Sequence, residues 1–253
     1  MKLNVLAIGN SYSQDAAYYL SSLAAADNHD LKIANLYIPA CNLERHWMNI
    51  QSGARAYLYE ENGRSSAHYI SIEEVLRMET WDYIVTQQSS YDSGFVETYF
   101  PYINDIYDYI AKATPRSELL LHETWAYEID SLHPQFGNYH NNQQEMYNRL
   151  AHAYKSVSKQ LGIRLIPSGD IIQTLRKKDP FVYECGGMSI CRDGYHMTVL
   201  YGRYLLAATW YKVLTGNSLI SNTYIPSTSL APYMVCNKNI LQIIKETVDT
   251  GVV

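Results

Sequence analysis

The chain predicts an α/β fold in which helices cover both faces of a parallel β-sheet. Three observations carry this. Short apolar runs recur at 3–8, 31–38, 82–86, 118–122 and 163–166, each of a length that suits a strand buried on both faces. Segments with helical spacing separate them, as the crossovers between parallel strands require. The polar residues with chemical potential follow the runs, and ligands of open α/β sheets bind outside the carboxyl ends of the strands.

Taken in order, the first run, LNVLAI, stops at Gly9-Asn10-Ser11, and 14–26 continues with helical spacing. The second run ends at Pro39, and 42–51 reads as a helix. Residues 56–70 alternate about Asn62-Gly63, a strong hairpin dipeptide, so a small β-hairpin excursion is expected. Ser71 caps a helix that runs to residue 78, with Glu74 completing a capping box. The third run, DYIVT, leads into Gln87-Gln88-Ser89-Ser90, and 96–113 is helical with Tyr and Ile on one face. The fourth run, ELLLH, precedes a polar stretch from 123 to 142 rich in Trp, Tyr, His and Asn. A long helix at 143–161, the fifth strand, a short helix at 168–177, an irregular loop at 179–195, and helices at 197–215 and 238–249 complete the chain. No repeat, low-complexity tract or linker interrupts it, so 1–253 reads as a single domain with five parallel strands.

Composition narrows the function classes. At 253 residues, 47% apolar and 18% charged, the chain is long enough to bury a large core. A net charge of −5 without a basic block argues against a nucleic-acid partner. No apolar run is long enough to span a membrane. The opening MKLNVLAIGNSYS has too short an apolar run for a secretory leader. The chain as written is therefore expected in the cytoplasm, or in the periplasm or outside the cell if a leader has been removed. Cys41, Cys185, Cys191 and Cys236 form no C-x-x-C pair, and His122, His133 and His140 fit no standard metal spacing. Neither metal nor cofactor is expected. Cys185 and Cys191 are close enough in sequence to be bridged, and the bridged and reduced states both stay open. Tyr outnumbers Phe 24 to 4, which fits either a sugar-binding cleft or Tyr-for-Phe usage on half-buried helix faces.

Two sites carry chemistry. Ser11 follows a buried strand and precedes a helix, where free N–H groups and the positive end of the helix dipole favour a developing oxyanion. The plain alternative is a helix cap. Asp193-Gly194-Tyr195-His196 follows an irregular loop directly before a helix. An Asp three residues before a His can orient a base from the same loop, or it can cap the helix.

Together, GNSYS near the start and DGYH near the end resemble the SGNH, or GDSL-type, hydrolase superfamily. The resemblance covers most of the chain. It implies a three-layer, flavodoxin-like fold with Ser11 as nucleophile and Asp193 and His196 as the base pair. The middle blocks depart from the family pattern. The second normally offers a Gly N–H to the oxyanion hole, but Ala40-Cys41-Asn42 stands here, so Cys41 or Asn42 would have to provide it. The third normally supplies an Asn side chain, but Gln87-Gln88 stands here, so Gln87 is given that role, with Gln88 as the fallback. Leu43 to Trp47 (L-E-x-H-W), the Gln after the third strand, Thr124 to Tyr127 (T-W-A-Y) and LTGNS at 214–218 are similar to a less characterised branch of the superfamily common in gut bacteria.

Further candidates lie on loops at the active edge. Trp125, Tyr127, His46 and Gln88 are expected to contact substrate, and Trp47 to pack. Glu123 reads as an acid or as a hydrogen-bonding loop residue. The expected activity is hydrolysis of small acyl esters, acetyl above all, on a carbohydrate. A lipid esterase or thioesterase is the second reading. A carbohydrate-binding protein on a retired hydrolase scaffold is the third.

Overall fold

The computed structural model describes residues 1–227, 232–233 and 235–252. Its strands are β1 (Lys2–Gly9), β2 (Asp30–Tyr37), β3 (Tyr57–Glu61), β4 (Arg64–Ile70), β5 (Tyr83–Thr86), β6 (Glu118–His122) and β7 (Arg164–Ile166). The helices are α1 (Ser11–Ala17), α2 (Leu20–Ala25), α3 (Leu43–Ser52), α4 (Ile72–Met78), α5 (Tyr102–Ala113), α6 (Gln143–Leu161), α7 (Ser168–Leu175), α8 (Tyr201–Thr215) and α9 (Lys238–Gly251).

Val5, Leu6, Ala7 and Ile8 of β1 are fully buried, as a strand covered on both faces must be. β1 pairs in parallel with β2 on one side and β5 on the other, and β6 and β7 continue the parallel set. The sheet order is β4-β3-β2-β1-β5-β6-β7. Its five parallel strands run in the flavodoxin-like order, with the chain reversing direction across the sheet at β1. Crevices open at the carboxyl end of such a switch point, and Ser11 sits there.

The sheet has seven strands, not the five expected. The hairpin around Asn62-Gly63 joins the sheet: β3 pairs antiparallel with β2, from Ala34↔Glu61 to Tyr37↔Leu58. It covers the edge that β2 would otherwise leave unpaired. Glu60, on the inner face of β3, is drawn in by Asn35 (2.7 Å) and Gln14.

Three helix boundaries also move. The first helix begins at Ser11, because the Asn10 side chain caps the Tyr12 N–H, and it breaks before α2. Residues 96–98 form only a 3₁₀ turn, since Pro101 has no N–H to continue a helix from it. α8 starts at Tyr201 because Cys191 and Met197 form an antiparallel bridge that keeps the preceding loop extended. The Ser71–Glu74 capping box forms as read. Cys185 and Cys191 are free thiols, the first exposed and the second buried. Among the described residues no helix is long and apolar enough to cross a membrane.

Candidate active site

The strand-turn-helix at the end of β1 places Ser11 at the first position of α1. An N–H there has no partner within the helix. Asn10 fixes the turn. Its Oδ1 accepts the Tyr12 N–H at 3.0 Å, and its Nδ2 donates to the Cys41 carbonyl at 3.0 Å. The second bond ties the Ser11 turn to the turn after β2.

The loop before α8 brings the other two predicted residues to Ser11. His196 Nε2 lies 2.8 Å from Ser11 Oγ, across 185 residues of chain. His196 Nδ1 lies 2.7 Å from Asp193 Oδ2. Asp193 Oδ1 also accepts the backbone N–H groups of Tyr195 and His196. Partial burial pushes the Asp193 carboxyl up, but these bonds and the His196 ring outweigh it and hold the carboxyl below its ordinary range. An ionised Asp193 accepts a hydrogen bond from Nδ1–H, which keeps the proton on Nδ1 and leaves Nε2 to accept from Ser11. Gly194 allows the tight loop, with φ +88°, and a β-carbon there would stand 3.0 Å from Ser131.

The second block differs from the sequence reading. Ala40, not Cys41 or Asn42, lines the cleft beside Ser11. Ala40 has φ +52°, the left-handed conformation in which a glycine is usual. Its N–H has no acceptor among the described residues. The Cys41 N–H is taken by Ile38 O at 3.3 Å. The Asn42 side chain caps α3 through Arg45 and donates to Asp92. An Ala in this conformation carries no signal in sequence, because the residue type argues against it.

The third block is also displaced. Gln87 is buried, with Nε2 on Asn10 Oδ1 at 2.7 Å and Oε1 on His122 Nδ1 at 2.6 Å. Gln88 is buried as well, accepting the Leu43 and Ser89 N–H groups and donating to Thr98. Neither faces the cleft. Ser90 does, with its hydroxyl 2.9 Å from Tyr127 Oη.

The residues expected to contact substrate lie in the core. Trp125 stacks flat on Tyr12 (centroids 3.9 Å apart) and donates its indole N–H to Tyr195 O at 2.7 Å. It supports the Asp193–His196 loop from beneath. Tyr127 and His46 are fully buried; His46 lies 2.9 Å from Tyr57 Oη and 3.5 Å from Cys41 Sγ. The cleft wall is instead Tyr37, Pro39, Ser90, Tyr91, His133, Gln135 and Tyr195, around a space of ≈ 420 Å³. Among the described residues no Lys, Arg, Asp or Glu lines it. In sequence His133 carries only the signal of a candidate metal ligand. Among the described residues no group of His, Cys, Asp and Glu side chains is arranged to hold a metal. Asp15, also missed, had a signal: it is one helical turn beyond Ser11, followed by Ala16 and Ala17.

Solved structures share this architecture. A DUF4886 family protein from Bacteroides uniformis ATCC 8492 is 34% identical over 100% of this chain and 95% of that one, with a TM-score of 0.90. A candidate SGNH hydrolase from Slackia heliotrinireducens is 18% identical over 85% of this chain and 100% of that one (TM-score 0.56). An acetylxylan esterase from Geobacillus stearothermophilus is 11% identical over 89% and 97% (TM-score 0.52). The fold is thus that of the SGNH, or GDSL-type, hydrolases. No curated protein matches the chain. The family described as "Domain of unknown function (DUF4886)" matches residues 4–239, and the chain belongs to it.

Proposed function

We propose that this protein is a serine esterase that removes small acyl groups, acetyl foremost, from a neutral carbohydrate. The observation that carries the reading is the hydrogen-bonded line Ser11–His196–Asp193, with spacings of 2.8 and 2.7 Å. His196 Nε2 takes the hydroxyl proton as Ser11 attacks the ester carbonyl. Asp193 holds the ring tautomer and stabilises the imidazolium. The oxyanion is met by the Ser11 and Ala40 N–H groups and by the Ser90 hydroxyl. The imidazolium protonates the departing alkoxide, and water, deprotonated by His196, cleaves the acyl-enzyme. The scheme uses only side chains, backbone and water.

The cleft supports the substrate class. Its wall carries no formal charge, which disfavours phosphate-bearing thioesters and anionic sugars, since their charges would be desolvated without a partner. Tyr37, Tyr91 and Tyr195 offer aromatic surface for the apolar side of a sugar ring, and His133 and Gln135 offer polar atoms for its hydroxyls. The fold shared with an acetylxylan esterase agrees.

The test is a panel of acetylated sugars against 4-nitrophenyl esters from acetyl to octanoyl, with wild type and Ser11→Ala. Acetyl esters should be cleaved far faster than octanoyl, and Ser11→Ala should lower kcat by on the order of 10⁴-fold or more. Rates that rise steadily with chain length would select a lipid esterase. Binding of sugars without turnover would select a retired scaffold.

A further inference from the structure

Gln87 is engaged at both ends of its amide. Its Nε2 donates to Asn10 Oδ1 (2.7 Å), its Oε1 accepts from His122 Nδ1 (2.6 Å), and His122 Nε2 accepts from Ser168 Oγ (2.9 Å). All four residues are at most 2% exposed. The direction of every bond follows from two backbone groups. The Tyr12 N–H requires the oxygen of Asn10, and the Cys41 carbonyl requires its nitrogen. Asn10 Oδ1 then requires the nitrogen of Gln87, whose oxygen in turn requires a proton on His122 Nδ1. Nε2 is left as an acceptor for the Ser168 hydroxyl. Burial pushes the His122 ring down to about 3, so it stays neutral. Gly9 makes room for this arrangement: a β-carbon there would stand 2.5 Å from Ser13 Oγ and 3.3 Å from Gln87 Cδ.

Asn10 is the point where the chain of bonds meets the reaction. It caps the Ser11 turn and, through the Cys41 carbonyl, holds the neighbouring Ala40 turn. These turns carry the two backbone N–H groups assigned to the oxyanion. We propose that Gln87, His122 and Ser168 are positioning residues, which act through Asn10 to hold the Ser11 and Ala40 turns at one separation. This rests on the esterase reading. It replaces direct oxyanion donation by Gln87 with fixation of the backbone donors from behind.

The experiment measures 4-nitrophenyl acetate hydrolysis per Ser11 titrated with a fluorophosphonate, so that misfolded protein is not counted. Gln87→Met keeps the shape and removes both bonds. It should lower kcat about 10- to 100-fold with little change in KM, the pattern of lost alignment in the transition state. Ser168→Ala, furthest from Ser11, should cost less. Gln87→Glu separates positioning from packing. As a neutral acid it reproduces both bonds; as a carboxylate it faces Asn10 Oδ1 with no donor. The titratable side chain bonded at this position is His122, which burial keeps neutral beside the native Gln87. Relative to wild type, Gln87→Glu should therefore lose activity progressively between about pH 5 and pH 9. An unchanged kcat per titrated serine in Gln87→Met, or a pH-independent ratio for Gln87→Glu, overturns the proposal. If wild type cleaves no ester, the esterase reading fails and the bonds are judged by ¹⁵N NMR of the His122 ring. A protonated Nδ1 that does not titrate supports the arrangement, and a ring titrating near its ordinary pKa removes it.

Discussion

Asp15 accepts the Met197 N–H at 2.9 Å, across 182 residues of chain. The carboxylate is one helical turn beyond Ser11 and fully buried. It also pairs with Arg203 Nε at 2.7 Å and Arg192 at 3.0 Å. Arg192 immediately precedes Asp193, and Met197 immediately follows His196. One side chain on the helix of Ser11 therefore grips the Asp193–His196 loop at both ends. This contact adds a second long-range constraint beside the Ser11–His196 hydrogen bond.

Asp15→Ala leaves the buried Arg203 guanidinium without its partner, a loss of about 3–5 kcal/mol. It also frees the loop, so kcat per titrated Ser11 should fall together with stability. Urea unfolding and active-site titration measure the two separately. Arg192→Ala should be milder, because Arg192 is partly exposed and Arg203 and the Met197 N–H remain on Asp15. Full kcat in Asp15→Ala would mean that the bonds to Asp193 hold the loop without help.

Ala40 is under backbone strain that Gly would relieve. An L-residue in the left-handed region loses about 1 kcal/mol or more, and the added freedom of Gly in the unfolded chain returns part of that. Ala40→Gly should therefore be neutral or stabilising by up to about 1 kcal/mol, with activity nearly unchanged. Ala40→Val should damage both, because a β-branched residue resists this conformation. A large activity loss in Ala40→Gly would show that the methyl group itself shapes the cleft.

The legible parts of the molecule were those set by local pattern. The apolar runs marked all five parallel strands, since burial on both faces keeps their middle positions mostly apolar, with Asn35 of β2 a buried exception. GNS and DGYH pointed to Ser11, Asp193 and His196, which the fold joins in one hydrogen-bonded line. What stayed hidden depends on geometry that sequence does not carry. Ala40 adopts a conformation its residue type disfavours. Gln87 has the right chemistry for an oxyanion donor and the right place in sequence. Nevertheless its amide is engaged in the core by Asn10 and His122, and Ser90 lines the cleft instead. Trp125 and Tyr127 read as a sugar platform, yet Trp125 donates to a loop carbonyl and Tyr127 packs behind Ser90. Aromatic residues with a polar tip fit either place equally.

His133 should determine acceptor specificity. Burial and the neighbouring His196 push its ring down, against a smaller upward pull from Asp193, which favours the neutral form. Its Nδ1 accepts the Gln135 N–H at 3.3 Å, so Nε2 carries the proton as a donor on the cleft wall. The ring packs against Tyr127 and Tyr195 at 4.5 and 4.7 Å between centroids. His133→Phe preserves that packing and removes the donor. It should lower kcat/KM on sugar acetates by about 10-fold, roughly one hydrogen bond, and leave 4-nitrophenyl acetate little changed. Equal losses on both esters would show that His133 merely supports Tyr195.

The pH dependence of stability should peak close to pH 6.5, from three buried groups. Burial holds His46 and His122 at about 3 against an ordinary 6.5, with Arg45 adding to the effect at His46. Below 6.5 the unfolded chain takes up protons that the folded chain refuses, so stability is lost as pH falls towards 3. Glu123 behaves in the opposite sense. Burial, then the Asp170 carboxylate, push it up to about 8 from 4.5, against lowering by the Asp170 and Gly169 N–H groups and Lys155. Between 4.5 and 8 the folded chain keeps a proton that the unfolded chain releases, so stability falls as pH rises. From 4.5 to 6.5 the two histidines outweigh the one acid, and above 6.5 the acid acts alone. Glu123→Gln tests this directly. Its oxygen can still accept the Asp170 N–H, which Glu123 Oε2 holds at 2.9 Å. Its amide nitrogen would replace Oε1, which has no hydrogen-bond partner among the described residues. Urea unfolding at pH 5, 6.5 and 8 should show the fall above 6.5 in wild type and its loss in Glu123→Gln, with a steeper fall from 6.5 to 5 in the variant, where no acid opposes the two histidines. A variant that keeps the alkaline fall would assign that limb to other groups and place Glu123 among carboxylates that ionise without cost.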